Sequence, residues 1–307
     1  MRNALVLFVL PVLAACGSAG PVTSATGGDP ASEPLAPPTV GMQLATTKIA
    51  LASGAEQYSC WSFSVPKDAA ISLAGLDNQV PTTGVHHWAV FTNTAPVKES
   101  GPYECATMGV TWGLVSGGGV GTPGVKFPEG TAMTLNAGQH IIFQLHLLNA
   151  GAPIEVPPAY INLIGTTGKN LQPVGLLIAG TLNITIPAHA TGVPVSGGCA
   201  LQAPMENIFS AFPHMHQRGR RIATTLQPKA GGAPVVLTDH MWDFHDQGLY
   251  PAKGSAVVGD QVTVTCTYDN PGATDVHFGL STKDEMCIDV LYYYPATQPS
   301  TYCGIGG

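Results

Sequence analysis

The chain has 307 residues, of which 10% are charged, and its formal net charge at pH 7 is −7. This negative charge argues against nucleic-acid binding. The 37 glycines and 26 prolines separate short β-branched runs such as 132–138 and 261–270. That pattern is typical of β-sandwiches with many turns. We therefore expect an all-β protein without sustained helices.

The first fifteen residues are typical of a signal peptide. Arg2 precedes an apolar run over 4–13, which is too short to span a hydrocarbon core of about 30 Å. Leu13-Ala14-Ala15-Cys16 resembles a bacterial lipobox and predicts cleavage before Cys16 with lipidation of its thiol. An ordinary signal peptide that happens to contain a cysteine is the alternative. We expect a cell-envelope protein, lipid-anchored to a bacterial membrane at the outer membrane or the periplasmic face.

Residues 16–40 are rich in Gly, Pro, Ser, Ala and Thr and have no apolar periodicity. Such a segment cannot bury enough surface to order itself, so it predicts a flexible tether. The remaining chain, roughly 265 residues, suits two domains of roughly 130 residues each. We place them at 41–178 and 179–307. No segment after the signal peptide is long and apolar enough for a transmembrane helix.

Six cysteines remain if Cys16 carries lipid: Cys60, Cys105, Cys199, Cys266, Cys287 and Cys303. An even number in an exported chain favours disulfides, because the compartment is oxidising. Six cysteines allow 15 pairings, and composition does not choose between them. Thiolate metal ligation is the alternative, although no CxxC motif is present.

Three features stand out among the ten histidines. His214 and His216 in an HxH motif would project on the same face of a strand and could hold one metal ion together. His146 shares a strand face with Gln144, opposite the apolar residues Ile141, Phe143, Leu145 and Leu147. Adjacent His86 and His87 would point apart in a regular strand, so both reach one ion only if the backbone turns there or different ring nitrogens coordinate. Each feature also has a structural interpretation.

Met286, in KDEMCIDVLYYYP, would ordinarily be a core residue. As a ligand it would matter, because a soft thioether together with imidazole selects copper over zinc or magnesium.

The other five histidines are interpreted as structural: His140, His189, His240, His245 and His277. The segment 240–250, which carries two of them, could approach the cleft between domains. The glycine run 116–124 lacks the lysine and following helix of a phosphate loop, and we interpret it as a flexible turn between strands.

Taken together, the motifs HH, QxH, HxH and DEMC followed by YYP resemble, in this order, the copper type II ascorbate-dependent monooxygenases. The resemblance covers about residues 55–303. It implies two jelly-roll-like antiparallel β-sandwich domains with an interdomain cleft. It also implies two copper ions per chain, an electron-transfer copper on His86, His87 and His146 and an oxygen-activating copper on His214, His216 and Met286. The catalytic group would comprise the second ligand set and Gln144 in the cleft.

The resemblance further implies three disulfides, Cys60–Cys105, Cys199–Cys303 and Cys266–Cys287. The last would hold the strand that carries Met286 against its neighbour.

Two departures restrict the substrate. The peptide-hydroxylating members of the family carry an arginine two residues before HxH and a tyrosine four residues after the ligand methionine; here these positions are Phe212 and Val290. Apolar side chains cannot form a charge-assisted bond to a carboxylate. A peptidylglycine substrate is therefore disfavoured, and a less polar pocket is indicated.

The sequence thus predicts a copper monooxygenase that hydroxylates an activated C–H bond of a small organic molecule, with dioxygen and ascorbate or a similar reductant. Membrane contact would be through the lipid alone. Two other functions fit part of these observations: a copper-binding or electron-transfer lipoprotein that does not hydroxylate, and a metal-free adhesion or carbohydrate-binding sandwich.

Overall fold

Short strands separated by glycine- and proline-containing turns build the whole described part of the chain. The computed structural model describes residues 34–95, 97, 100–105 and 111–305. These residues form β-strands and no α-helix, which confirms the all-β prediction. Accordingly, this part of the chain offers no helix that could cross a membrane.

The strands of the first half form two five-stranded sheets, with the orders β1-β11-β4-β8-β12 and β6-β3-β9-β5-β7, and a small pair, β10-β2. Their bounds are β1 (Gly41–Ala45), β2 (Ile49–Leu51), β3 (Glu56–Ser64), β4 (Ile71–Gln79), β5 (Val85–Asn93), β6 (Ser100–Glu104), β7 (Trp112–Gly119), β8 (Thr131–Leu135), β9 (His140–Leu148), β10 (Ile154–Val156), β11 (Tyr160–Gly165) and β12 (Gln172–Pro173).

The second half adds a five-stranded sheet, β19-β16-β22-β13-β23, a four-stranded sheet, β15-β20-β17-β18, and the pair β14-β21. Their bounds are β13 (Gly175–Thr181), β14 (Thr185–Ile186), β15 (Val193–Ala200), β16 (Met205–His214), β17 (Gly219–Gln227), β18 (Val235–Met241), β19 (Tyr250–Ala256), β20 (Gln261–Tyr268), β21 (Val276–His277), β22 (Cys287–Tyr294) and β23 (Ser300–Cys303). The sheets are antiparallel except for the parallel pairs β8–β12 and β13–β23. Their packing is consistent with β-sandwiches; jelly-roll connectivity stays a prediction.

The sheet that contains β13, β16 and β22 is apolar on both faces. In β22, Val290 and Tyr292 belong to the core of the first half, whereas Leu291 and Tyr293 belong to the core of the second half. A strand buried on both faces reads as a continuous apolar run rather than an alternating one. This explains the buried VLYY sequence at 290–293 and makes one sheet the shared wall of two cores.

Three disulfides cross-link the strands: Cys60–Cys105, Cys199–Cys303 and Cys266–Cys287. These are the three pairs that the resemblance implies, and none of the six thiols is available as a metal ligand.

The compact unit of the described chain begins at Pro34. The last residues of the predicted tether therefore contact the folded body: the carbonyls of Leu35 and Ala36 accept hydrogen bonds from Gln43 and Asn162. The predicted boundary between 178 and 179 falls inside β13. The signal-peptide and Cys16 lipidation predictions concern residues outside the described ranges.

Candidate metal centres

A β-bulge brings the adjacent histidines His86 and His87 to one side of their sheet. In the β5–β9 ladder Val85 pairs with Leu147 and His87 pairs with His146, so the register shifts across His86. An extra residue in one strand breaks the alternation of side chains locally. The bulge therefore supplies the backbone turn that two neighbouring histidines need to reach one ion.

The three imidazoles converge on one point. One ring nitrogen from each of His86, His87 and His146 lies within 4.8 Å of the others, and the Nδ1 atoms of His86 and His87 are 3.1 Å apart. Two nitrogens that each lie about 2.0–2.1 Å from one metal ion have a similar separation. The buried Nδ1 of His146 has no hydrogen-bond partner among the described residues. This trio fits a metal ion.

A hydrogen-bond acceptor beside one nitrogen of the His86 ring, and another beside one nitrogen of the His146 ring, determine which ring nitrogen carries the lone pair. His86 donates from Nε2 to the carbonyl oxygen of Phe244, at 3.0 Å, and His146 donates from Nε2 to Oε1 of Glu56, at 3.1 Å. A carbonyl and a carboxylate accept hydrogen bonds, so the hydrogen sits on Nε2 and the lone pair on Nδ1. Orienting a ligand histidine through its second nitrogen is general in metal sites.

Burial also keeps these rings uncharged. It lowers the pKa of His86 and of His146 to about 4, and it holds the pKa of His87 well below its ordinary value. Neutral imidazole is the form that binds a metal ion.

The second pair of histidines lies at the end of β16. His214 is the last residue of the strand and His216 follows it, with ring centroids 5.2 Å apart and planes at 89°. His216 donates from Nδ1 to the carbonyl oxygen of Asp284, and His214 donates from Nδ1 to Oε1 of Gln247. Both rings therefore keep a lone pair on Nε2, and that of His216 is buried without a hydrogen-bond partner in the described chain. Burial lowers the pKa of both histidines.

The segment that carries Met286 is tied to this pair. Glu285 accepts hydrogen bonds from the backbone N–H groups of His216 and Arg218, and burial raises the pKa of this carboxyl to about 7. The Tyr268 hydroxyl donates to the carbonyl oxygen of Met286 at 2.7 Å. The backbone on both sides of the methionine is thus held in place, next to the disulfide at Cys287.

The two groups of histidines touch each other. The rings of His87 and His214 lie 5.4 Å apart, edge to face at 83°. The side-chain amide of Gln247 spans the same gap: its oxygen accepts from His214, and its nitrogen lies 3.4 Å from Nε2 of His86.

Glu56 joins the same two regions from the other side. Beyond His146, its carboxylate accepts hydrogen bonds from the backbone N–H and hydroxyl of Thr282 and from the hydroxyl of Ser281. Burial opposes ionisation of Glu56, but the bonds from Thr282 and His146 outweigh it and lower its pKa. We call Glu56, Ser281 and Thr282 the carboxylate clasp.

A cavity of about 290 Å³ lies beside both groups. Its lining combines residues of the two halves: Tyr58, His87, Trp88, Ala89, Phe91, Leu114, Gly117, Gln144, Ile178, Leu182, Phe212, His214, Phe278, Leu280, Met286, Ile288, Val290 and Ile305. Met286 and His214 therefore line the same cavity. Phe212 and Val290 line it too, at the two positions where the peptide-hydroxylating members of the family carry polar residues. Gln144 also lines the cavity, and its amide nitrogen contacts the sulfurs of Cys60 and Cys105 at 3.8 and 3.6 Å.

Four neighbours of the histidines escaped the sequence analysis: Glu56, Tyr58, Phe244 and Gln247. Tyr58 pairs with His146 across the β3–β9 ladder and stacks on its ring at 4.1 Å. The sequence did contain a signal for Glu56 and Tyr58. They occupy every second position before Cys60, so the three side chains lie on one face of the same strand. Phe244 and Gln247 belong to the 240–250 segment, which contacts His86 and His214 through these residues. The five histidines interpreted as structural supply no ring to either group in the described chain.

The glycine run was wrongly predicted to be a flexible turn throughout. Ser116–Gly119 is the buried end of β7 and pairs with β5. A Cβ at Gly119 would lie 3.0 Å from the backbone nitrogen of Gln247, and a Cβ at Gly117 would lie 3.3 Å from the ring of Phe212. The glycines are needed for close approach rather than for flexibility.

Comparison with known proteins supports the copper monooxygenase family. Residues 173–305 match the family model described as "Copper type II ascorbate-dependent monooxygenase, C-terminal domain". A tyramine beta-hydroxylase of Caenorhabditis briggsae is 24% identical over 70% of this chain and 38% of its own length. The dopamine beta-hydroxylase of Bos taurus is 32% identical over 39% of this chain and 22% of its own length, and that of Homo sapiens is 24% identical over 84% and 46%. The chain thus spans less than half the length of these curated relatives.

Proposed function

We propose that this protein is a copper-dependent monooxygenase that hydroxylates a C–H bond of a small organic substrate. It would hold two copper ions, one on His86, His87 and His146 and one on His214, His216 and Met286. The reaction would use dioxygen and ascorbate or a similar reductant.

The observation that carries this proposal is the arrangement of unpaired nitrogen lone pairs. His146 Nδ1 and His216 Nε2 are buried without hydrogen-bond partners among the described residues, while acceptors hold the opposite nitrogen of each ring. A buried polar atom left unpaired is costly unless something binds it. Imidazole nitrogens beside a thioether are a donor set that favours copper.

The net reaction balances as follows. One oxygen atom of O₂ is inserted into the substrate C–H bond to give C–OH, and the other leaves as water with two protons. The two electrons come from the reductant, with ascorbate oxidised to dehydroascorbate. Copper held by the two groups of residues would supply one-electron redox chemistry, so the two electrons of the reductant could be delivered to dioxygen singly.

The residues of the chain have defined parts in this scheme. Glu56 and Phe244 hold the hydrogens of His146 and His86 away from the proposed first ion, and Asp284 does the same for His216. With both sites occupied, the rings of His87 and His214, whose centroids are 5.4 Å apart, would provide a short path for electrons between the two groups of ligands. The apolar cavity would position substrate beside Met286.

Residues 13–16 support a lipid anchor at Cys16 in a bacterial cell envelope, as part of the same proposal. Mass spectrometry of the membrane fraction tests it, with Cys16→Ser expected to release the protein.

Copper content together with X-ray absorption tests the two sites. We expect two copper ions per chain and a sulfur scatterer in the reduced protein. Met286→Leu keeps the volume but removes the thioether, so we expect loss of the sulfur signal, copper content falling toward one ion, and loss of turnover. Met205→Leu is the matched control, because Met205 is also buried, at 2% exposure, but in the second core.

His146→Ala should instead weaken the first site while sparing the sulfur signal. Two coppers and full turnover in Met286→Leu would refute the ligand assignment. Stoichiometric copper without ascorbate-dependent oxygen uptake on any candidate substrate would favour the non-hydroxylating copper protein.

A further inference from the structure

The cavity beside Met286 carries no charge among the described residues that line it. Its side chains with a polar atom are Tyr58, His87, Trp88, Gln144 and His214; the others are apolar or glycine. The volume, about 290 Å³, lies at the small end of the range for ligand sites. The space suits a small molecule better than a long chain.

Three of the polar side chains of the lining are already engaged, whereas the buried Nε1 of Trp88 has no hydrogen-bond partner among the described residues. The Tyr58 hydroxyl donates to the carbonyl oxygen of Leu280 at 3.0 Å. The Gln144 amide contacts the disulfide sulfurs, and the His214 ring donates to Gln247. Among the lining side chains an ammonium or carboxylate group would lose its hydration without gaining a counter-charge, which is strongly unfavourable. The copper ions proposed for His87 and His214 would offer positive charge only to an anion that reaches them.

The edge of the cavity is apolar as well. Leu182 and Leu280 line it and are 37% and 43% exposed. Exposed aliphatic side chains at the edge of an apolar pocket are typical of a binding site for apolar molecules. They also place no charge where a charged substrate would enter.

We propose that the substrate of this centre is a small, uncharged, largely apolar molecule, bound with a C–H bond towards Met286 and His214. This inference rests on the proposed function, since the cavity adjoins the proposed second copper site. It specifies the chemical class of the substrate, which the proposed copper ligands alone do not determine.

Three probes of matched shape test the class: 4-phenyl-1-butanol, 4-phenylbutylamine and 4-phenylbutyrate. They differ in the terminal group, which is neutral, cationic or anionic at pH 7. We expect calorimetry on the full copper-loaded chain to show the alcohol binding at least tenfold more tightly than either charged probe. Equal or tighter binding of a charged probe, or no binding of the alcohol, would overturn the inference. Binding of a long-chain alcohol in its place would indicate a lipid ligand and would also overturn it.

Variants localise the binding. Leu182→Asp adds a negative charge at the exposed edge and should weaken binding of the butyrate and strengthen that of the amine, several-fold in each case. Val236→Asp is the control, because Val236 is 58% exposed and does not line the cavity; it should change neither. If both variants changed the binding of the charged probes by the same factor, the probes would bind outside the cavity and the inference would be refuted.

The measurements distinguish failure of the proposed substrate class from failure of the proposed monooxygenase activity. Preference for the neutral probe without oxygen uptake on any substrate would leave the ligand class standing and remove the monooxygenase. Oxygen uptake with a charged substrate that binds more tightly than the alcohol would do the reverse.

Discussion

At the scale of single residues, the carboxylate of Glu56 has two tasks. It accepts the hydrogen of His146 Nε2 and also the hydrogen bonds of Ser281 and Thr282, which lie more than 220 residues further along the chain. One side chain therefore orients a ligand of the first centre and fixes the loop that leads to Met286. Removing its charge should affect both centres.

Glu56→Gln keeps the shape but weakens the bond to His146. We expect the copper affinity of the three-histidine site to fall about 10–100-fold, as is typical when the partner of a ligand histidine is lost. Competition titration with a Cu(I) chelator measures it. Glu155→Gln is the control, because Glu155 forms only an exposed ion pair with Lys48. Unchanged affinity in Glu56→Gln would contradict the role of the carboxylate clasp.

The lowered histidine pKa values predict how copper binding depends on pH. His86 and His146 have pKa values of about 4, so in the copper-free protein both are neutral above about pH 5. Copper should therefore displace almost no protons from them at pH 6, and affinity should fall only as pH drops through 5 towards 4. Calorimetry in buffers of different ionisation enthalpy counts the protons. Release of close to one proton per histidine at pH 6 would show ordinary pKa values instead.

At the scale of strands, the buried end of β7 determines how closely the 240–250 segment approaches the histidines. The Gly119 backbone N–H donates to the carbonyl oxygen of Gln247 at 2.7 Å. Any side chain at this position would push Gln247 away from His86 and His214.

Gly119→Ala should therefore destabilise the fold by about 1–3 kcal/mol, the usual range for overpacking, and should weaken copper binding at both centres. Denaturant unfolding and copper titration measure the two effects. Gly151→Ala is the control, since the nearest atom to its added Cβ would be Oδ1 of Asn149 at 3.6 Å. Full copper affinity in Gly119→Ala would show that the contact with Gln247 does not support the centres.

The alternation of apolar and polar residues correctly predicted side-chain orientation where a strand is regular. The alternation in β9 correctly separated Gln144 and His146 from the apolar face that contains Phe143 and Leu145. The side-chain direction of His86 could not be derived from the sequence. It depends on a β-bulge, and the bulge is defined by how β5 pairs with β9 and not by the residues of β5 alone. Motif order supplied the disulfide pairs, which composition left open.

Contacts between distant segments were also beyond local patterns. Gln247 reaches the histidines only because glycines at the end of β7 admit its backbone, and a glycine-rich sequence reads equally well as a turn. Local periodicity describes one strand at a time, whereas these contacts depend on several packed strands.

At the scale of the whole molecule, the disulfides should separate stability from metal binding. The Cys199–Cys303 bond closes 104 residues and Cys266–Cys287 closes 21. In the chain-entropy model their removal costs about 4.7 and about 3.3 kcal/mol. Replacing each pair by serine should therefore lower the unfolding free energy more for Cys199–Cys303. Copper content should fall more for Cys266–Cys287, which adjoins Met286. The same rank order in both measurements would contradict this separation.

The sheet shared by both cores has a consequence for synthesis. Val290 and Tyr292, near the end of the chain, complete the core of the half that leaves the ribosome first. Domains generally fold in order as they emerge, yet here the early half keeps an apolar face open until β22 has been made. The nascent chain therefore exposes apolar strands, and is vulnerable to misassembly, until β22 has been synthesised and has packed.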